Sequence, residues 1–266
     1  MRYAFQIGRF FGISVFIHWS FVLVPLWVLF NGFTTGLSWL GILVQLGLSL
    51  AVFTCVLLHE YGHALAARRF GVETRDIILL PIGGVARLES MPREPFTELV
   101  IAVAGPAVNV LIAAILFPFV LLTEGSLAFA EGDISLGGML RFLFAINVLL
   151  IVFNAIPAFP MDGGRVLRSL LAFFLPYVKA TVVAARTGQF IAVLFFVLGL
   201  TTGNPSLFLI AVFVYVMASN EMRGVLWLES RRQEAQTELT SPPMPLTTPR
   251  PLDFGTQRRF YWRTRL

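Results

Sequence analysis

The sequence predicts an all-α polytopic membrane protein: six transmembrane helices, with a small membrane-dipping β element between the second and the third. Three observations predict it. Hydrophobic residues make up 57% of the 266 and charged residues only 13%, and the mean hydropathy of +0.79 is far above that of a water-soluble globular chain. Six stretches reach the roughly 20 apolar residues that cross a hydrocarbon core. Residues 72–90 interrupt them with a β-branched, apolar segment too short to span.

The six stretches lie at about 13–32, 38–67, 97–123, 138–157, 181–202 and 205–226. Lipid offers the backbone no hydrogen bonds, so each is expected as a helix. The first is expected to stay as a span, because it is too apolar for too long, without a small-residue cleavage site, to read as a signal peptide. Within 72–90, Pro81-Ile82-Gly83-Gly84 reads as a turn between two strands.

Basic residues cluster at alternate span ends: Arg2 and Arg9; Arg68, Arg69, Arg75, Arg87 and Arg93; Arg165, Arg168, Lys179 and Arg186; Arg223, Arg231 and Arg232. By the positive-inside rule both termini are cytoplasmic. The loop around 124–137 carries Glu124, Glu131 and Asp133 and fits the outside, with Arg141 as an exception that snorkels or pairs with one of those acids. The chain thus divides into a membrane domain at 1–229 and a disordered cytoplasmic tail at 230–266. The tail ends in basic and aromatic residues, Arg258 to Arg265, and reads first as solvated charge and second as a contact for anionic lipid.

Near the end of the second run stands His59-Glu60-Tyr61-Gly62-His63, the His-Glu-x-x-His pattern of zinc proteases. Ionisable side chains cost about 2.5–3.5 kcal/mol each at mid-span, so such a cluster in an apolar run points to function. Four residues on a helix turn through about 40°, which lets both imidazoles reach one metal ion, with Glu60 beside it. A catalytic zinc takes a third protein ligand. Cys55 is the only cysteine, which excludes a cysteine-based zinc site and an intramolecular disulfide. It stands one turn before His59 and reads as a small buried thiol rather than a ligand. The third ligand is either His18, the one remaining histidine, or a carboxylate. The best carboxylate is Asp162, because Pro157, Pro160, Gly163 and Gly164 break the helix around it and let it turn inward. With Glu60, such a cluster is close to neutral, which eases its burial.

These motifs resemble the site-2 protease family of intramembrane zinc metalloproteases, of the bacterial and archaeal type without an appended regulatory domain. The likeness rests on His59-Glu60-Tyr61-Gly62-His63 and on Asn154 to Gly163, similar to the family's Asn-x-x-Pro-x-x-Pro-x-Asp-Gly pattern. Ala104-Gly105-Pro106-Ala107-Val108-Asn109 and the Gly83-Gly84 turn add to it, and the resemblance covers about 10–226. It implies one Zn²⁺ held by His59, His63 and Asp162, with Glu60 as general base toward zinc-activated water. Asn154 is then a second oxyanion donor or a helix cap. Asn109 packs between spans or meets substrate, and Gly83 and Gly84 form a plain turn or a substrate-binding edge.

The implied partners are a transmembrane protein or peptide substrate, the lipid bilayer of a prokaryotic cell, and a regulatory membrane partner or second copy of the chain. No nucleic acid is expected. His63 precedes Arg68 by five residues, roughly 8 Å along a helix, so water is expected to reach the metal from the cytoplasm. The strands of 72–90 offer an edge for an unwound substrate. A metal transporter would need further ligands along a path, and three histidines and one cysteine make that path thin. An inactive helix-binding relative has no support, since base and ligands are all present.

Overall fold

The computed structural model describes residues 4–81, 83–89, 92–123 and 135–240. The chain opens with two strands, β1 (Ala4–Phe10) and β2 (Ile13–His18), then a 3-10 turn (Trp19–Val22) and helix α1 (Leu23–Thr34). Helix α2 (Trp39–Arg69) leads into strands β3 (Thr74–Leu80) and β4 (Gly83–Leu88). Helices α3 (Pro95–Leu121), α4 (Leu136–Ala155), α5 (Asp162–Ala172), α6 (Tyr177–Thr202) and α7 (Pro205–Thr240) complete it. The chain divides into one compact unit up to Leu226 and a second that starts at Trp227.

Five helices among the described residues, α2, α3, α4, α6 and α7, are long and apolar enough to cross a membrane. The expected first span differs. Residues 13–18 pair as β2, and the 12 residues of α1 rise only about 18 Å, short of the ~30 Å hydrocarbon core. Alternation separates strand from helix here: Ile13 and Val15 are buried while Ser14 and Phe16 are partly exposed. The tail expected from 230 begins as helix, since α7 continues to Thr240, and the rest of it lies outside the described residues. So does most of the expected outer loop, at 124–134.

The four strands form one sheet in the order β1-β2-β3-β4. β1 and β2 pair antiparallel with a bulge between Gln6 and Gly8, β2 and β3 pair parallel, and β3 and β4 pair antiparallel. The β3–β4 pair, foreseen between the second and third spans, lies between α2 and α3 and is half of a larger sheet. Ile13, Val15 and Ile77 of the sheet pack on Tyr61 and Ala64 of α2, which fixes the strands against the helix that carries the histidines.

Polarity is inverted relative to a soluble core. Leu43, Leu50, Leu111, Phe119 and Leu200 are exposed, as lipid-facing side chains should be, while Glu98, Asn109, Asn147 and Arg168 are fully buried. Helices approach closely where side chains are small: Ala184, Ala185 and Ala218 enclose Phe159, and Ala158 packs with Ala192 and Val214. This packing holds the irregular segment 156–161 against α6 and α7, directly before Asp162.

A candidate metal centre beside an open strand edge

His59 and His63 lie on successive turns of α2, both buried. Asp162 is the first residue of α5, where a carboxylate suits the helix N-terminus. Gly163 lets that turn close, since a Cβ there would sit 2.3 Å from the Ile156 carbonyl oxygen. The fold brings the three side chains to one point. His59 Nε2 and His63 Nε2 each lie 3.1 Å from Asp162 Oδ2, and 3.1 Å from each other. Among the described residues these three form the group of acids, histidines and cysteines able to hold a metal ion.

The donor set fits a zinc ion on two counts. Tetrahedral zinc with bonds of about 2.0–2.1 Å spaces its ligand atoms roughly 3.3–3.4 Å apart, close to the triangle seen here. The ring protons are also accounted for. His63 Nδ1 lies 2.7 Å from the Ile101 carbonyl oxygen and His59 Nδ1 lies 2.5 Å from Asn109 Oδ1. Both acceptors require Nδ1 to donate, so two Nε2 lone pairs and a carboxylate oxygen converge with no proton of the neutral rings between them. A cation resolves that convergence.

Gly105 makes the space. A Cβ on it would sit 2.2 Å from His63 Nε2 and 2.8 Å from His59 Nε2. The Ala104 to Asn109 motif therefore acts through α3 as the floor of the site. Gly105 leaves room for the rings, and Asn109 bonds His59 rather than facing an open cleft.

Glu60 is half-buried and points from α2 toward the sheet. Its Oε2 accepts a hydrogen bond from the Ala86 N–H at 2.8 Å. Ala86 pairs with Ile77 across β3–β4, yet its N–H goes to Glu60, so it points off the open edge of β4. Gly84 lies under the same side chain, where a Cβ would be 2.6 Å from Glu60 Cγ. Gly83 closes the hairpin at φ 140°, a conformation that suits glycine.

The remaining candidates fall elsewhere. His18 does not join the histidine pair: its Nδ1 accepts from Ser20 N at 3.3 Å and so caps the 3-10 turn. Asn154 donates to its own helix at Leu150 O, 3.0 Å away. Cys55 Sγ accepts from Asn147 Nδ2 at 3.4 Å. Arg141, expected to snorkel or pair, is buried.

Several buried polar residues were not singled out by sequence reasoning, among them Asn147 and Arg168. Asn147 sits in α4 against Asn109. Arg168, counted above with the cytoplasmic charges, is 0% exposed. It bonds Glu98 Oε1 through Nε at 2.7 Å and Glu221 Oε1 through Nη1 at 2.5 Å, and it stacks on Phe159 and Tyr177. Arg168 thus ties the helix that begins with Asp162 to α3 and α7.

The chain is thus a polytopic helical protein that brings two histidines and an aspartate together among its apolar helices, beside a glutamate and the outer edge of β4. The family model of peptidase family M50 matches residues 47–131 and 127–195. The chain belongs to this family, that of the site-2 proteases. It is 35% identical over 228 residues to a zinc metalloprotease of Methanocaldococcus jannaschii, covering 85% of this chain and 62% of that protein. It is 29% identical over 132 residues to stage IV sporulation protein FB of Bacillus subtilis, covering 49% of this chain and 42% of that protein. The chain therefore spans less than two thirds of either relative. Among solved structures, the site-2 protease from Methanocaldococcus jannaschii matches with a TM-score of 0.60 and 35% identity, covering 83% of this chain and 95% of that one.

Proposed function

We propose that the chain is an intramembrane zinc endopeptidase that cuts a peptide bond within or near a transmembrane helix of its substrate. The observation that carries this reading is the 3.1 Å triangle of His59 Nε2, His63 Nε2 and Asp162 Oδ2, one residue from Glu60. Those three side chains would hold Zn²⁺. When bound, zinc supplies Lewis acidity that acidifies water near neutral pH and polarises a carbonyl oxygen.

The chain's own groups do the rest. Glu60 takes the proton of the attacking water and returns it to the leaving amine. A helical substrate has its carbonyls bonded internally, so it must unwind before attack. The free edge of β4 can receive the unwound segment as an added strand. Ala86 N–H, which now bonds Glu60, is one of the edge donors such a strand would use. Substrate docking would then compete for that donor and leave the carboxylate to the water. The Asn154 oxyanion role has less support than the Glu60 role, because its amide nitrogen is engaged by Leu150.

Orientation follows from α2, whose last turn carries Arg68 and Arg69. These residues favour a cytoplasmic end, and water and released fragment would pass on that side. The test mixes zinc-loaded protein with a tagged transmembrane substrate, with Glu60→Gln run beside it. The parent should cleave and Glu60→Gln should lose about 100-fold or more, while both hold one zinc per chain. Equal cleavage by the two would remove Glu60 from the mechanism.

A further inference from the structure

The strongest feature outside the three proposed ligands is a line of buried amides that ends on one of them. His59 Nδ1 lies 2.5 Å from Asn109 Oδ1, and Asn109 Nδ2 donates to Asn147 Oδ1 at 2.9 Å. Asn147 Nδ2 in turn donates to the Leu143 carbonyl oxygen at 2.8 Å and to Cys55 Sγ at 3.4 Å. Asn109 and Asn147 are both 0% exposed.

The direction of the whole line is set at its far end. A backbone carbonyl can only accept, so the Leu143 oxygen requires the Asn147 amide nitrogen to face it. That leaves the Asn147 oxygen for Asn109, which must then present its own nitrogen there. Asn109 has only its oxygen left for His59, and an oxygen acceptor holds the imidazole proton on Nδ1. The Nε2 lone pair is thereby kept for the Asp162 side.

We propose that Asn147 is a positioning residue for the metal centre: through Asn109 it fixes the tautomer and ring orientation of His59, and so zinc affinity, from a helix that contributes none of the three proposed ligands. The inference rests on the zinc reading above. Residues that orient a metal-bound histidine change metal affinity by about 10–100-fold when removed. A bond between two amides can also serve only to join α3 to α4. The two roles differ in one respect: positioning passes through the Asn109 oxygen, whereas joining does not depend on His59.

Four proteins in detergent separate them: the parent, Asn147→Leu, Asn109→Asp, and the double variant. Beside a zinc-bound His59 ring, as in carboxylate–histidine–zinc triads, the carboxyl group that Asn109→Asp introduces is ionised and can only accept, so the ring is oriented without Asn147. Zinc affinity, measured by competition with a chelator on folded protein, is expected to fall about 10–100-fold in Asn147→Leu. It is expected to stay close to the parent in Asn109→Asp, and to change little further in the double variant. An unchanged affinity in Asn147→Leu, or the same loss in both backgrounds, overturns the proposal.

Asn147→Asp guards against a variant that fails to fold. In apolar surroundings the introduced carboxyl group takes its neutral form, so that its O–H donates to Leu143 and its carbonyl accepts from Asn109. This variant should hold zinc within about threefold of the parent, well inside the loss given for a missing partner, and a tenfold loss by folded protein counts against the proposal. A parent chain that takes up no zinc contradicts the metal reading itself, which is a separate result.

Discussion

Gly105 faces both imidazole nitrogens at distances that admit no added carbon, so the candidate metal site is sensitive to a single change there. Gly105→Ala should raise the intrinsic helix propensity of α3 by about 1 kcal/mol. It should nevertheless lower zinc content, read by metal analysis of purified protein, because the new methyl group displaces His63 and His59. Gly84→Ala presses on Glu60 instead of the three proposed ligands. If Glu60 is the base proposed above, the variant should keep zinc and slow cleavage on the order of tenfold or more, since displacing a catalytic group by about 1 Å costs up to 100-fold. The spacing of His59, Glu60 and His63, and the helix-breaking residues around Asp162, made these four residues legible in the sequence. Asn147 and Arg168 were not legible. One polar letter in an apolar run names no partner, and theirs lie 38 and 70 residues away.

At the level of elements, α5 is held by a buried ion pair rather than by apolar packing alone. Glu98 is 2% exposed and its Oε2 has no hydrogen-bond partner among the described residues, so Arg168 is what compensates its charge. Arg168→Ala should destabilise the fold by about 3–5 kcal/mol, because removing one partner strands the other. Thermal unfolding in detergent measures this, and adding Glu98→Leu should recover part of the loss. Helix α3 begins with a different device. The exposed Glu94 carboxylate caps it by accepting from the Thr97 and Phe96 N–H groups. Hydrogen bonding, first from the Thr97 side chain and then from its N–H, holds Glu94 below its ordinary 4.5. A depressed carboxylate stabilises above its unfolded-state value and loses that contribution as pH falls through its folded-state value. Glu94→Gln should therefore flatten the acid side of the stability profile below about pH 4.5 and leave its shape at neutral pH unchanged, as followed by unfolding temperature against pH. The long helices were legible as apolar runs of spanning length. The strands β1 and β2 were not: β2 sits inside an apolar run that reads as a span, and its parallel partner β3 lies some sixty residues on, beyond the reach of local pattern.

Across the whole molecule, two imidazoles near the end of one long helix meet a carboxylate delivered by a broken segment about a hundred residues later. The fold between them, with Gly105 against the imidazoles and Arg168 tying α5 to α3 and α7, joins them. The sheet adds the second requirement, a free edge whose Ala86 N–H reaches Glu60. We propose that one zinc is held by His59, His63 and Asp162 together. Zinc stoichiometry and affinity of purified parent and Asp162→Ala, measured side by side against a competing chelator, decide this. The parent should hold one zinc per chain and Asp162→Ala should fall to a small fraction of that occupancy. One tightly held zinc in Asp162→Ala, with affinity equal to the parent's, would rule out Asp162 as a ligand.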